Sequence, residues 1–160
     1  MEESKVPETG CCTRFNPDPW NEKNVDFAGK HFIKDHVTSF FHLPLNFGSV
    51  MRRNIKKIEA ADAMPKEQIV LSDEKSPWGS DVYIAVTKEV PAAEMVEVPG
   101  NFFARVFTGP YQNMRNYINE MKTTLKDRTR KIGKLYFYYP YCPKCAKAYG
   151  KNYIVILGQV

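Results

Sequence analysis

The sequence predicts an α+β domain: a tandem βαββ repeat with pseudo-twofold symmetry, its antiparallel sheet carrying two helices on one face. Three observations predict it. The first is internal likeness. YIAVTKEV (Tyr83 to Val90) and YIVILGQV (Tyr153 to Val160) share their tyrosine, isoleucine and final valine, and each follows an aromatic–glycine pair, Trp78-Gly79 and Tyr149-Gly150. FFHLPLNFG (Phe40 to Gly48) and VFTGPYQNM (Val106 to Met114) likewise align Pro44 with Pro110. The second is helical periodicity after each proline: Phe47, Val50, Met51, Ile55 and Ile58, then Tyr111, Met114, Ile118, Met121 and Leu125. The third is the company of these helices, one β-branched and aromatic run before each and two after.

Taken in order, residues 1–25 carry Pro7, Pro17 and Pro19 and read as an extended arm. Phe15 and Trp20 tie the arm down, because their rings are costly to leave in water. Residues 26–160 form one domain, with halves at about 30–90 and 100–160. The first half is a strand from Phe32 to Phe41, a helix with Pro44 in its first turn, and strands near Ile69 to Leu71 and Val82 to Thr87. VPAAEMVEVPG, with two prolines and a glycine, is the connector. The second half repeats the order: Phe102 to Phe107, a helix opened by Pro110, then Leu135 to Tyr139 and Tyr153 to Leu157. A sheet of this symmetry leaves a groove between its halves, where binding sites are favoured.

The chain has 160 residues and a net charge of +5, with 26% charged and 43% hydrophobic residues, so it reads as globular. No apolar run approaches the roughly 18 residues of a membrane span. The polar start, MEESKVPETG, lacks the features of a signal peptide, and the expected location is the cytoplasm. Basic residues gather at Lys122, Lys126, Arg128, Arg130, Lys131 and Lys134. Without interleaved aromatics or a nucleic-acid motif they read as a solvated helix end and loop, which makes nucleic acid a disfavoured partner.

Thirteen per cent of the residues are aromatic. Tyrosine-rich strands suit a concave, partly wet surface, or equally an amphipathic sheet with exposed phenols. The expected ligand contacts are Trp78, Tyr83, Phe41, Phe107, Tyr111, Tyr136, Tyr138 and Tyr153. Asp73, Glu74 and Asp81 surround Trp78 in SDEKSPWGSDVY and are the candidate catalytic carboxylates, since a carboxylate against an aromatic wall suits acid–base work. The alternative is a polar hairpin whose Asp and Ser cap turns. His31, His36 and His42 have no metal-ligand spacing and read as surface or half-buried histidines.

PYCPKCAKAYG holds Cys142 and Cys145, and Cys11 and Cys12 lie in the arm. A strand followed by Cys-Pro-Lys-Cys superficially resembles a glutaredoxin active site, but that fold needs βαβ structure after its CxxC where Ala146 to Val160 read mostly as one strand, so redox catalysis is not expected. The spacing suits two thiolates of a structural zinc site, completed by Cys11 and Cys12 if the arm packs beside the loop; four free thiols are the alternative.

VPGNFFARVFTGPYQNMRNYINEM, a strand ending in Gly109-Pro110-Tyr111 and leading into an amphipathic helix, resembles the DNA gyrase inhibitor-like (GyrI-like) small-molecule binding domains, whose tandem fold is shared with the SOUL proteins. The resemblance covers about residues 30–160. It implies a groove that takes hydrophobic, aromatic or cationic ligands, and in a subset hydrolysis of strained reactive compounds by groove carboxylates. Relatives carry glutamates where this chain has Tyr136, Tyr138 and Asn152-Tyr153. The expected function is therefore a stand-alone binding protein for a small-molecule ligand, with hydrolase activity as an extension and with no membrane partner. The alternative is a zinc-stapled interaction protein that binds nucleic acid or an acidic partner through the basic patch.

Overall fold

The computed structural model describes residues 14–40, 43–98, 100–141 and 143–160. Among them, nine strands form one antiparallel sheet in an α+β fold. The elements are β1 (Lys23–Asp26), β2 (His31–Phe40), β3 (Leu43–Pro44), α1 (Phe47–Ala60), β4 (Val70–Ser76), β5 (Gly79–Val86), β6 (Met95–Val96), β7 (Asn101–Thr108), α2 (Met114–Lys126), β8 (Leu135–Tyr138), α3 (Pro143–Tyr149) and β9 (Tyr153–Gln159). Eight strands run in the order β1-β7-β9-β8-β4-β5-β2-β3, and β6 also pairs with β2.

Successive residues of the middle strands point to opposite faces. Phe32, Leu71, Tyr83, Phe102, Tyr136, Tyr138, Val155 and Leu157 make one buried group, which Trp20 and Phe27 of the N-terminal segment complete. Their neighbours in sequence go elsewhere. Phe103, Phe137, Ile154 and Ile156 pack with Tyr117, Met121 and Leu125 of α2. Ile33, Ile84 and Val86 pack with Ile58 of α1, and Val37 and Val82 with its Val50. Burial on both faces explains the near-continuous apolar run of β9. Each large side chain so buried contributes roughly 1.5–3 kcal/mol.

The arm is held where Phe15 and Trp20 predict. The Phe15 backbone N–H donates to Tyr141 Oη at 2.8 Å, and the Phe15 ring meets those of Tyr138 and Tyr153. Trp20 is buried against Tyr138, and Arg14 stacks over Tyr149 of α3.

Several expectations need correction. Among the described residues the fold has three helices rather than two, since α3 occupies the cysteine loop; it opens on Pro143, a residue type favoured at the first helical position. Pro44 does not start a helix. It pairs with Ser39 in β3, and α1 begins three residues later at Phe47. Pro110 precedes a single 3-10 turn, Tyr111–Asn113, that leads into α2. The short strands β1, β3 and β6 carry too few residues to show a pattern of their own; β1 forms by pairing with β7, the other two with β2.

Candidate functional site

The candidate carboxylates part company in the structure. Asp73 on β4 lies directly opposite Asp81 on β5, and Asp81 lies directly opposite His36 on β2. Cross-strand partners share a face, so these three side chains form one transverse row. On the other side of β4, Leu71 pairs with Tyr138 of β8 and Ser72 with Phe137, and Tyr136, next along β8, comes within reach of the Asp73 charge. Tyr83 stands one pleat away, its ring edge-on to that of Tyr136 with centroids 5.6 Å apart.

Two carboxylates directly opposed repel each other, and each is met by one basic group. Lys134 Nζ lies 3.5 Å from Asp73 Oδ2. His36 Nδ1 lies 3.2 Å from Asp81 Oδ1. A carboxylate oxygen only accepts, so Nδ1 is the donor to Asp81, and in the neutral ring Nε2 is then the nitrogen free to take a proton. The imidazole can lie flat here because residue 79 is glycine: a Cβ at that position would stand 2.6 Å from His36 Nε2 and 2.7 Å from Cε1.

Asp73 is 7% exposed, and its Oδ1 has no hydrogen-bond partner among the described residues. Buried polar atoms are nearly always satisfied, so an orphaned carboxylate oxygen is the strongest anomaly of this face. Asp81 and His36 form the open side of the row. Burial pushes the Tyr83 phenol up to about 12, with Tyr136, Asp81 and Asp73 adding to the effect. Burial also raises Tyr136; the two carboxylates reinforce it and Lys134 opposes it. Both phenols therefore stay protonated near neutrality and are available as donors.

Glu74 belongs to a different group. The register of β4 shifts between Asp73 and Ser76, a bulge of the kind found beside functional sites. Glu74 Oε2 there accepts a 2.6 Å hydrogen bond from Tyr139 Oη. Burial and the Glu74 charge raise the Tyr139 phenol strongly, and they raise Tyr111 as well. The rings of Tyr111 and Tyr139 lie 5.8 Å apart.

The other expected ligand contacts scatter. Tyr138 is buried between Phe15, Trp20 and Gln68. Tyr153 packs on Phe15 and Tyr141. Phe107 stacks on Tyr117 beneath α2. Trp78 is exposed at the β4–β5 turn, against Phe40. Phe41, Cys11, Cys12 and Cys142 lie outside the described residues, and Cys145 is buried in α3. Of the basic stretch, Arg128 stacks on Phe103 and Lys134 serves Asp73, so two of its cations act within the fold. Surface cavities of about 430 Å³ lie at Gly109, Pro110 and Asn152 and at Phe27, His31 and Ala85; neither is lined by Asp73, Asp81 or His36.

Sequence reasoning missed His36, Lys134 and Tyr139. A single signal pointed to His36, its even spacing from Phe32 on a strand, but its meeting with Asp81 depends on a register that no local pattern carries.

Fold and site together define an α+β protein with paired carboxylates, an imidazole and two phenols on one sheet face. The chain belongs to the bacterial hydrolase family, which it matches over residues 2–160. No curated protein matches it. This overturns the GyrI-like resemblance. The tripeptide that carried it has a local cause: Gly109 adopts φ +148°, a Cβ there would run into the Tyr117 hydroxyl, and Pro110 precedes the turn into α2. A strand-to-helix turn of this shape selects Gly-Pro without reference to ancestry.

Proposed function

We propose that the chain is a hydrolase of small molecules whose reaction takes place on the row of Tyr136, Asp73, Asp81 and His36. One observation carries this reading: a buried carboxylate with an unpartnered oxygen stands opposite a second carboxylate. That arrangement costs stability, and unrelieved cost of this kind gathers at functional sites. In the proposed reaction Asp81 holds the His36 ring through Nδ1, and Nε2 takes a proton from water. The water oxygen bonds to the electrophilic carbon or phosphorus of the substrate, the bond to the leaving group breaks, and the proton passes from His36 to the leaving group. Tyr83 and Tyr136, kept protonated, donate hydrogen bonds to oxygen atoms of the substrate. Asp73, its Oδ1 closed to solvent behind Asp81, supplies the negative charge against which Asp81 and His36 are set.

The test is a panel of chromogenic esters, phosphates and glycosides, assayed with the native protein and with His36→Ala, Asp81→Asn and Tyr139→Phe. Loss of turnover in the first two variants and retention in the third supports the row. Turnover lost only in Tyr139→Phe moves the chemistry to the Glu74 group, and turnover unchanged in all three sinks the reading.

The tandem relation of the two halves belongs here too. The strand orders β4-β5-β2 and β8-β9-β7 repeat one pattern about the β4–β8 pair, and each half contributes one long helix, which supports a duplicated βαββ unit with both helices on a common face. A zinc staple is a second reading, supported by the contacts of Phe15 and Arg14 with Tyr141 and Tyr149 around Cys145. Metal analysis of the purified protein tests it: one zinc per chain, released by thiol modification, is the expected result, and metal-free protein overturns it.

A further inference from the structure

Among the described residues seven large apolar side chains are exposed, and four of them stand at one corner of the sheet: Phe40, Leu45, Phe47 and Trp78. The backbone brings them together. The Ser39 N–H donates to Trp78 O at 2.8 Å, and the Leu45 N–H to Thr38 O at 2.9 Å, so the segment bearing Phe40 runs between the other two. The rings of Phe40 and Trp78 lie 5.9 Å apart, and Phe47 opens α1 two residues after Leu45. A basic shoulder adjoins the corner. The Arg52 guanidinium lies over Gly48, 3.4 Å from where a Cβ would sit, and Lys56 follows one turn on. Both are exposed, and neither has an ion-pair partner among the described residues.

We infer that this corner docks on an anionic lipid surface. Trp and Phe side chains at strand ends sit favourably at the headgroup level, where an apolar ring enters the acyl boundary. Cations beside them meet the negative surface potential of anionic lipid. A second copy is a poorer occupant: in a twofold contact the Arg52 and Lys56 of both chains would be gathered around one patch, and a chain of net charge +5 repels its own copies. The contact is peripheral. It departs from the expectation of no membrane partner, and it does not depend on the hydrolase reading.

The experiment mixes the full-length protein with vesicles of phosphatidylglycerol and phosphatidylcholine, or of phosphatidylcholine alone. Binding is read by co-sedimentation and by tryptophan emission. Trp20 is 6% exposed and Trp78 55%, so a blue shift on binding reports Trp78. The expected result is binding to the anionic vesicles alone, reversed by salt. Trp78→Ser should weaken it roughly tenfold, and Arg52→Glu or Lys56→Glu at least about fivefold each. Equal binding to both vesicle types, no binding at low ionic strength, or self-association abolished by Trp78→Ser would each overturn the proposal, the last by showing a second copy to be the occupant.

Discussion

Replacing Asp73 by asparagine should stabilise the protein while removing its activity. Directly opposed residues on antiparallel strands have Cβ atoms about 5 Å apart. Two unit charges at that distance repel by about 1 kcal/mol in water and about 3 kcal/mol at a protein-surface dielectric near 20. Lys134 and His36 offset part of this, and both are substantially exposed, so their pairs are worth about 0–1 kcal/mol each. The amide keeps the shape of the carboxyl, loses the contact with Lys134 and gains a donor for Asp81. The net expectation is a gain of about 0.5–1 kcal/mol, or a melting temperature higher by about 1–4 °C for a chain of this length. Hydrolysis should fall by roughly 10²–10⁴-fold. A double-mutant cycle with Asp81→Asn isolates the pair: the second substitution should stabilise less than the first, because the repulsion is already gone. Thermal melts by circular dichroism and steady-state rates measure both effects. A drop of several degrees in Asp73→Asn with turnover intact would refute the argument and make Asp73 a structural anchor for Lys134.

Three further outcomes are expected. Gly79→Ala should displace the exposed His36 ring from Asp81 and also crowd the Val37 backbone oxygen, 3.1 Å from the new Cβ, so a fall in turnover is expected with a loss of about 1 kcal/mol or somewhat more, and a turnover equal to the native protein's would remove His36 from the mechanism. Asp35 is buried enough for desolvation to raise it, yet Arg53, Asn54 and the His36 N–H together hold it below its ordinary 3.8; a depressed carboxylate stabilises above the unfolded value and loses that contribution as pH falls through the folded one, so melts from pH 5 downward should decline less steeply in Asp35→Asn than in the native chain. Tyr83, raised to about 12, works in the opposite direction: its contribution is complete below pH 10 and is lost between pH 10 and 12, and Tyr83→Phe should flatten that alkaline decline, as melts across the interval will show.

Much of the fold was legible because its long elements carry their period. Val50 and Ile58 of α1, and Met121 and Leu125 of α2, recur at helical spacing and are buried as that spacing requires. Five of the six long strands lie within three residues of their expected bounds for a related reason, their dense β-branched and aromatic content; β4 runs on to Ser76, five residues past the expected Leu71, because its polar second half carries no such content. Elements defined by a partner were not legible: β3 has two residues and exists through Ser39 and Phe40. The site divides in the same way. Asp73, Asp81, Tyr83 and Tyr136 were named from local context, and the structure brings them together on one face. Glu74 was named with them and goes to Tyr139, because it follows Asp73 directly and successive residues of a strand face opposite sides. Register is a property of two chains of residues facing each other, and a single segment does not contain it.

The packing of Phe15 on Tyr141 has a consequence for how the protein is made. The donor and acceptor of that hydrogen bond are 126 positions apart, and the same ring touches Tyr138 and Tyr153. Residues 15–27 leave the ribosome well before β8 and β9, whose surface they cover. Until β8 and β9 emerge, Phe15, Trp20 and Phe27 have no finished face to bury against, so the nascent chain carries these aromatic rings incompletely covered while the more than one hundred residues between are made. Synthesis speed and chaperone supply, more than equilibrium stability, should therefore set the yield of soluble protein.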